Sequence, residues 1–178
     1  MDNIELLKYP IGKFQKPASL TQKDRKELIK SIRKLPKRLS KTVDGLSEEQ
    51  LNTPYRPGGW TVAQVVHHLT DSHVNSYIRF KWALTEDTPM IKAYDENLWS
   101  ESPDAMSSDI SSSLQLLKGL HKRWTLVLTN MTEQDYAREL SHPEWSSNLT
   151  LDTMLALYGW HCDHHLAHVR ELVKREGW

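Results

Sequence analysis

Histidines are the residues of this sequence best suited to chemistry, and four of its nine histidines lie between positions 161 and 168. On a helix, which turns by about 100° per residue, His161 and His165 lie within ~40° of each other. They share that side with apolar residues such as Met154 and Leu172. Two imidazoles one turn apart are a typical helical metal-binding pair. A pair of neutral core histidines, each with its own hydrogen-bond partner, would give the same pattern.

A third ligand would come from another helix, and the segment 61–86 offers His67, His68 and His73. His67 falls nearly opposite the apolar line of this segment, where solvent or some other contact is expected. His73 lies inside the line and His68 lies on its edge. Polar residues follow His68 at helical spacing and predict one wall of a wet pocket: Ser72, Asn75 and Arg79. Periodicity alone does not choose between His68 and His73.

Four helices are predicted to carry these residues. The first begins near Thr21, a candidate N-cap, and contains Pro36, which should kink it or break it in two. The second begins at Thr61, with Gln64 completing a capping box, and runs to about Glu86. The third repeats apolar residues from 114 to 128, and the fourth runs from about Thr150 to Glu176 and stops at Gly177.

The connections complete the predicted architecture. The polar stretch 87–113 is long for a compact domain and is typical of a segment that crosses a bundle or covers a site. A short helix is expected after Ser47, a loop over 53–59, and a little extended structure within 136–150. We therefore predict an all-α fold, a four-helix bundle with one long crossover connection, as a single domain over residues 1–178.

Composition excludes several classes of protein. The 23 basic and 23 acidic side chains cancel, although residues 13–41 hold eleven of the basic ones, so the overall charge favours neither a nucleic-acid nor a membrane partner. A single cysteine excludes a disulfide framework. No apolar run approaches the ~18 residues of a membrane span, and the first ten residues are too polar for a secretory signal. A cytoplasmic protein is expected.

Two longer motifs resemble a known family: Gly-Gly-Trp-Thr-Val-Ala-Gln-Val-Val-His-His-Leu at 58–69 and Leu-Tyr-Gly-Trp-His-Cys-Asp-His-His-Leu-Ala-His at 157–168. They are similar to the DinB/YfiT-like metalloproteins, and most similar to the YfiT type, described as metal-dependent hydrolases. The resemblance extends along nearly the whole chain, through Tyr-Pro-Ile-Gly near the start, the segment 71–81 and the terminal Gly177-Trp178.

The resemblance implies a four-helix bundle, often a homodimer, with a divalent metal ion held by three histidines. The family pattern places the ligand of the second helix at the histidine just before the leucine, which is His68, and the other two at His161 and His165. One metal ion per chain is expected, zinc or nickel. Other family members resemble thiol S-transferases that use bacillithiol or mycothiol, so the small-molecule substrate could be a low-molecular-weight thiol.

Several neighbouring residues are candidates for supporting roles. Asp71, Asp163, Ser72 and Asn75 are near enough in sequence to orient a ligand, although Asp163 falls away from the pocket side and is expected to be a surface charge. Arg79 is a candidate for an anionic substrate group or for a structural ion pair. Tyr158 could supply a proton or merely pack. His168 and His164 could act as a base or bind substrate, and an exposed helix edge is the favoured alternative for both.

Other residues of the same segments are expected to be structural. Cys162 and His121 are predicted to be packed core side chains, and Gly159 predicts close backbone packing in the fourth helix.

Two classes of function remain open at this point. An enzyme would use the metal to activate a water or a thiol. A non-enzymatic bundle would bind a metal or small ligand, or contact an acidic partner through the basic residues of the first helix, with salt-sensitive association. The candidate residues for that contact are Lys30, Arg33, Lys34, Lys37 and Arg38.

Overall fold

The predicted all-α four-helix bundle is confirmed. A computed structural model describes residues 3–178. The helices are α1 (Asn3–Lys8), α2 (Gln22–Val43), α3 (Glu48–Leu51), α4 (Val62–Thr85), α5 (Glu96–Ser100), α6 (Ser111–Thr129), α7 (Glu133–Ala137) and α8 (Leu151–Glu176), and two short strands are β1 (Glu139–Leu140) and β2 (Leu149–Thr150). Helices α2, α4, α6 and α8 are the four long ones.

Helix α2 is continuous through Pro36, so of the two predicted effects of this proline, a kink or a break, the break does not occur. Thr21 caps the helix as predicted, in a reciprocal capping box with Asp24. Among the five basic residues of α2 that were candidates for an acidic partner, two are paired within residues 3–178: Lys30 lies 2.8 Å from Glu27, and Arg38 lies 2.5 Å from Asp163 of α8. Proline removes one backbone donor, and tertiary packing of the buried apolar side of α2 holds the helix together there.

The two helices that carry the histidines begin and end where the sequence predicts. Thr61 accepts a hydrogen bond from the backbone of Gln64, whose side chain returns to the backbone N–H of Thr61. The hydroxyl of Thr150 caps α8 by accepting a hydrogen bond from the backbone N–H of Thr153. Gly177 ends α8 with a φ of 73°, a left-handed conformation that favours glycine. The histidines of α4 and α8 are thereby held on regular helix.

The four long helices surround one apolar core. Helix α2 packs against α8 and α6, and α4 packs against the same two helices, so the order around the bundle is α2, α6, α4, α8. The largest fully buried side chains come from all four: Trp124, Phe80, Ile32, Leu35, Leu39, Leu69, Leu117, Leu128, Leu151 and Met154. Because α4 and α8 are neighbours, their inward histidines can meet in the core.

The connections pack on the bundle rather than extending it. The long segment between α4 and α6 contains α5, which contacts α4, and residues around Ile91 pair with Ser141. Strands β1 and β2 pair antiparallel, Glu139 with Thr150 and Leu140 with Leu149, as the expected small amount of extended structure within 136–150. Among the helices of residues 3–178, none combines the length and apolar character that a membrane span requires.

Candidate metal centre

Three histidines from two helices converge inside the bundle. His68 of α4 and His161 and His165 of α8 each present a ring nitrogen, and these three atoms lie within 4.8 Å of one another. The Nε2 atoms of His68 and His161 are 3.4 Å apart. Two nitrogens bound to one tetrahedral zinc ion at the usual bond length would be separated by ~3.3–3.4 Å. The separation therefore already suits a shared cation.

The state of the rings also suits metal binding. Burial lowers the pKa of His68 to about 4 and lowers those of His161 and His165 well below the usual range, and repulsion between the histidines adds to the effect. Neutral imidazoles are the form that binds metal. The Nδ1 atom of His165 is buried and makes no hydrogen bond within residues 3–178, although buried polar atoms normally have a partner. The three residues fit a divalent cation.

His73, the other candidate for the third ligand, lies behind the cluster. Its Nε2 is 3.1 Å from the Nδ1 of His161, and its Nδ1 is 2.7 Å from the Nε2 of His121. The Nδ1 of His121 is in turn 2.5 Å from the carbonyl oxygen of Ile32. His121 is thus a buried core histidine with partners, as predicted. His73 contacts a member of the cluster instead of belonging to it.

Tyr158 packs beside the cluster. Its ring lies 5.4 Å from that of His161, and its hydroxyl is 3.4 Å from the hydroxyl of Ser72 on α4. Both side chains are buried. The ring of Tyr158 therefore lies beside a candidate ligand, and its hydroxyl lies against Ser72, at the wall where the sequence placed a wet pocket.

Arg79 is buried farther along the same side of α4. One of its nitrogens donates to the carbonyl oxygen of Lys92, at 3.0 Å, and no carboxylate of residues 3–178 lies within ion-pair distance. The charge of Arg79 influences two titratable rings: burial first and Arg79 second lower the pKa of His142, and Arg79 partly opposes the increase that burial causes in the pKa of Tyr94. The ion-pair alternative for Arg79 is absent from the part of the chain that the structure describes.

The favoured expectation for His164 and His168, an exposed helix edge, was wrong because irregular segments cover both. The ring of His168 stacks on Tyr55 at 4.0 Å, and its Nε2 donates to the carbonyl oxygen of Lys8 at 3.0 Å. His164 stacks on Trp160 at 4.2 Å and on Tyr9 at 5.9 Å. The N-terminal segment and the loop before α4 bury these rings against α8.

The proposed orienting residues do not reach the cluster. Asp163 lies at the surface and binds Arg38 and Ser31 of α2. Asn75 donates to the backbone of Asp71, on its own helix. Asp71 is half-buried, and burial raises the pKa of its carboxyl. Cys162 is fully buried, as expected of a packed side chain, and burial raises the pKa of its thiol well above the usual range.

Two residues near the cluster were missed as contributors from the sequence. Trp60 lies over His68, with ring centroids 4.6 Å apart, and Tyr55 covers His168. Both stand in the loop over 53–60, together with Gly58 and Gly59, and line a cavity of about 380 Å³ that reaches His165. The aromatic residues that bound this glycine-rich loop were the available signal.

Comparison with known proteins gives a family and several close relatives for the chain. A family model described as the DinB superfamily matches residues 31–169, which include all three clustered histidines. The chain belongs to the DinB superfamily. Within this superfamily it is 48% identical over 172 residues to a Bacillus subtilis protein named "Putative metal-dependent hydrolase YfiT", covering 97% of each chain. A Geobacillus thermodenitrificans protein named "Putative metal-dependent hydrolase" is 50% identical over 178 residues, the full length of both.

A solved structure matches the chain in three dimensions. Bacillus subtilis YfiT, described as a probable metal-dependent hydrolase with an unusual four-helix bundle topology, superposes with a TM-score of 0.94. It is 48% identical, and the match covers 97% of this chain and 99% of the other. The fold of this DinB-superfamily member is therefore that of YfiT along almost its whole length.

Proposed function

We propose that this DinB-superfamily protein is a metal-dependent hydrolase in which His68, His161 and His165 hold one divalent cation, zinc or nickel. The observation that carries the proposal is the approach of three neutral ring nitrogens within 4.8 Å inside the bundle. Three histidines leave a coordination position open, which is typical of catalytic rather than structural zinc sites. The names of the relatives from Bacillus subtilis and Geobacillus thermodenitrificans agree with this chemistry.

A bound cation of this kind lowers the pKa of a coordinated water or thiol, which supplies hydroxide or thiolate at neutral pH. The chain's own residues would do the rest. Arg79 would bind an anionic group of a small-molecule substrate, because its buried guanidinium has a backbone carbonyl but no carboxylate as partner in residues 3–178. Tyr158 would donate a proton to a leaving group. His168 is less suited to act as a base, because burial lowers its pKa to about 4.

The experiment that tests the metal centre is elemental mass spectrometry of protein purified without a histidine tag. We expect about one zinc or nickel per chain in the wild type, and loss of the metal in His68→Ala and in His161→Ala. The matched control is His67→Ala, because His67 is also buried on α4 but binds Ser113 and Ser107 at 2.8 and 2.9 Å. A wild type that neither contains metal nor binds added zinc or nickel would refute the site.

The reaction is tested on protein loaded with the metal found by mass spectrometry. Hydrolysis of ester, amide and phosphoester substrates is measured with and without a chelator, beside consumption of low-molecular-weight thiols with an electrophile. Chelator-sensitive hydrolysis supports the proposal. Thiol consumption alone would assign a thiol S-transferase instead, and bound metal with neither reaction would favour a metal- or ligand-binding bundle.

Arg79→Met should raise KM for anionic substrates more than for neutral ones, because only the former lose a charge-assisted contact.

A further inference from the structure

One chain of hydrogen bonds crosses all four long helices and ends at the candidate metal centre. It begins at the carbonyl oxygen of Ile32 in α2, passes through His121 of α6 and His73 of α4, and reaches His161 of α8. The three successive contacts measure 2.5, 2.7 and 3.1 Å. His73 and His121 are almost completely buried, at 0% and 1% exposure, so water does not compete for these bonds.

The first member of the chain determines the proton positions of all the others. A carbonyl oxygen only accepts, so the Nδ1 of His121 carries the proton that it donates to Ile32. A neutral ring has one N–H, so the Nε2 of His121 accepts from the Nδ1 of His73. By the same reasoning, the Nε2 of His73 accepts from the Nδ1 of His161. His161 is left with its Nε2 unprotonated, and this is the nitrogen 3.4 Å from His68.

We infer that His73 and His121 are positioning residues that hold His161 in the one tautomer, and the one ring orientation, able to donate its Nε2 lone pair to a metal ion. The inference rests on the proposed metal centre and deepens it. In metal-binding histidines, the N–H of the second ring nitrogen usually donates a hydrogen bond to a carboxylate, a backbone carbonyl or water. Here the backbone carbonyl is reached through two further imidazoles.

The neutral partner has a chemical consequence. A carboxylate bonded to a ligand histidine makes the imidazole a stronger donor and brings negative charge toward the metal. The relay of neutral rings formed by His121 and His73 brings no negative charge, so a cation held by His68, His161 and His165 would keep more of its positive charge. The relay also makes the orientation of His161 depend on the packing of α2 and α6, neither of which supplies a ligand.

The tautomers are measured in the metal-free protein by long-range nitrogen–proton NMR of the histidine rings. We expect His121, His73 and His161 all to be protonated at Nδ1. In His73→Leu the Nδ1–H signature of His161 should be lost or averaged. In His73→Gln it should be kept, because a glutamine amide offers both the acceptor for His161 and the donor for His121. A wild-type His161 protonated at Nε2 would overturn the inference.

Metal affinity is the second measurement. The affinity for zinc and for nickel is measured by competition with a chromogenic chelator. We expect His73→Leu to weaken binding by about 10- to 100-fold, the usual loss when a partner of a metal ligand is removed, with His73→Gln close to wild type. His67→Leu removes a buried histidine of α4 outside the relay and should leave affinity unchanged. Circular dichroism verifies that each variant is folded.

The outcomes separate the relay from the site it serves. Equal affinity in His73→Leu and wild type, or an equal loss in His67→Leu, would refute the positioning role. If the wild-type chain binds neither zinc nor nickel, the proposed function fails, while the tautomers of the metal-free rings still decide whether the relay exists.

Discussion

Gly159 of α8 packs closely against Leu28 of α2. A Cβ built at this position would lie 2.5 Å from Cδ2 of Leu28 and 3.3 Å from its Cβ, so a larger residue forces Leu28 to move. The glycine was predicted to mark close packing because it is otherwise unfavourable within a helix. Glycine at this position lowers helix propensity but allows α8 and α2 to pack closely.

We expect Gly159→Ala to lower the free energy of unfolding by about 1 kcal/mol, because overpacking outweighs the ~1 kcal/mol by which alanine favours a helix. Urea unfolding of the metal-free protein measures the difference. In a Leu28→Ala background the Cδ2 contact is removed and only the 3.3 Å contact with Cβ remains, so the same substitution should instead stabilise by up to about 1 kcal/mol. Stabilisation in the wild-type background would show that Leu28 moves aside freely.

The sequence predicts the members of the histidine cluster better than their surroundings. His161 and His165 share the inward side of one helix by spacing alone, and the family resemblance favoured His68 over His73. The structure brings these three together. The relay through His73 and His121 could not be predicted, because a helical period places both rings inward but specifies neither their rotamers nor which rings of different helices meet.

At the scale of elements, Arg25 connects three helices. Its guanidinium binds both carboxylate oxygens of Asp152 in the first turn of α8, at 2.7 and 2.8 Å, and Glu133 of α7 at 2.5 Å. The side chain of Arg25 is 10% exposed, that of Asp152 23% and that of Glu133 74%. The bidentate pair therefore lies in a partly desolvated place, while Glu133 remains in water.

We expect Asp152→Asn to lower the free energy of unfolding by about 2 kcal/mol, because it leaves a largely buried guanidinium with one charged partner. Glu133→Gln is the matched control and should change it by ~0.5 kcal/mol or less, since exposed ion pairs contribute little. Thermal and urea unfolding of both variants give the comparison. Equal effects would mean that burial does not distinguish the two carboxylates.

The helices could be predicted from the sequence, but the irregular segments that cover them could not. Capping residues and apolar periods gave the start of α2 and both ends of α4 and α8, because those signals are local. The segments that cover His164 and His168 have no helical or strand periodicity, so the spacing of apolar residues did not indicate that Tyr9 and Tyr55 would fold onto α8. Side chains on a helix edge are exposed or buried according to such irregular segments, and the prediction for these two histidines was wrong for that reason.

Across the whole molecule, the bundle places an unusual number of neutral imidazoles out of water. Burial lowers the pKa of His121 and that of His168 to about 4, against an ordinary value of 6.5, although a hydrogen bond to a backbone carbonyl opposes the shift in each case. The other buried histidines of the candidate centre shift in the same direction. The unfolded chain, with ordinary histidines, therefore binds more protons than the folded one between pH 6.5 and about 4.

Stability should consequently be fully present above pH 6.5 and be lost as the pH falls toward about 4. Between pH 7 and pH 5 we expect the free energy of unfolding to fall by on the order of 2 kcal/mol for each group with such a shift. Urea unfolding of the metal-free protein, with a chelator present, measures this without a contribution from metal release. Glutamine cannot gain a proton in this pH range. His121→Gln should therefore reduce the fall in the free energy of unfolding between pH 7 and pH 5 by about the contribution of one histidine. A free energy of unfolding that is constant from pH 7 to pH 5 would mean that the buried rings do not have lowered pKa values.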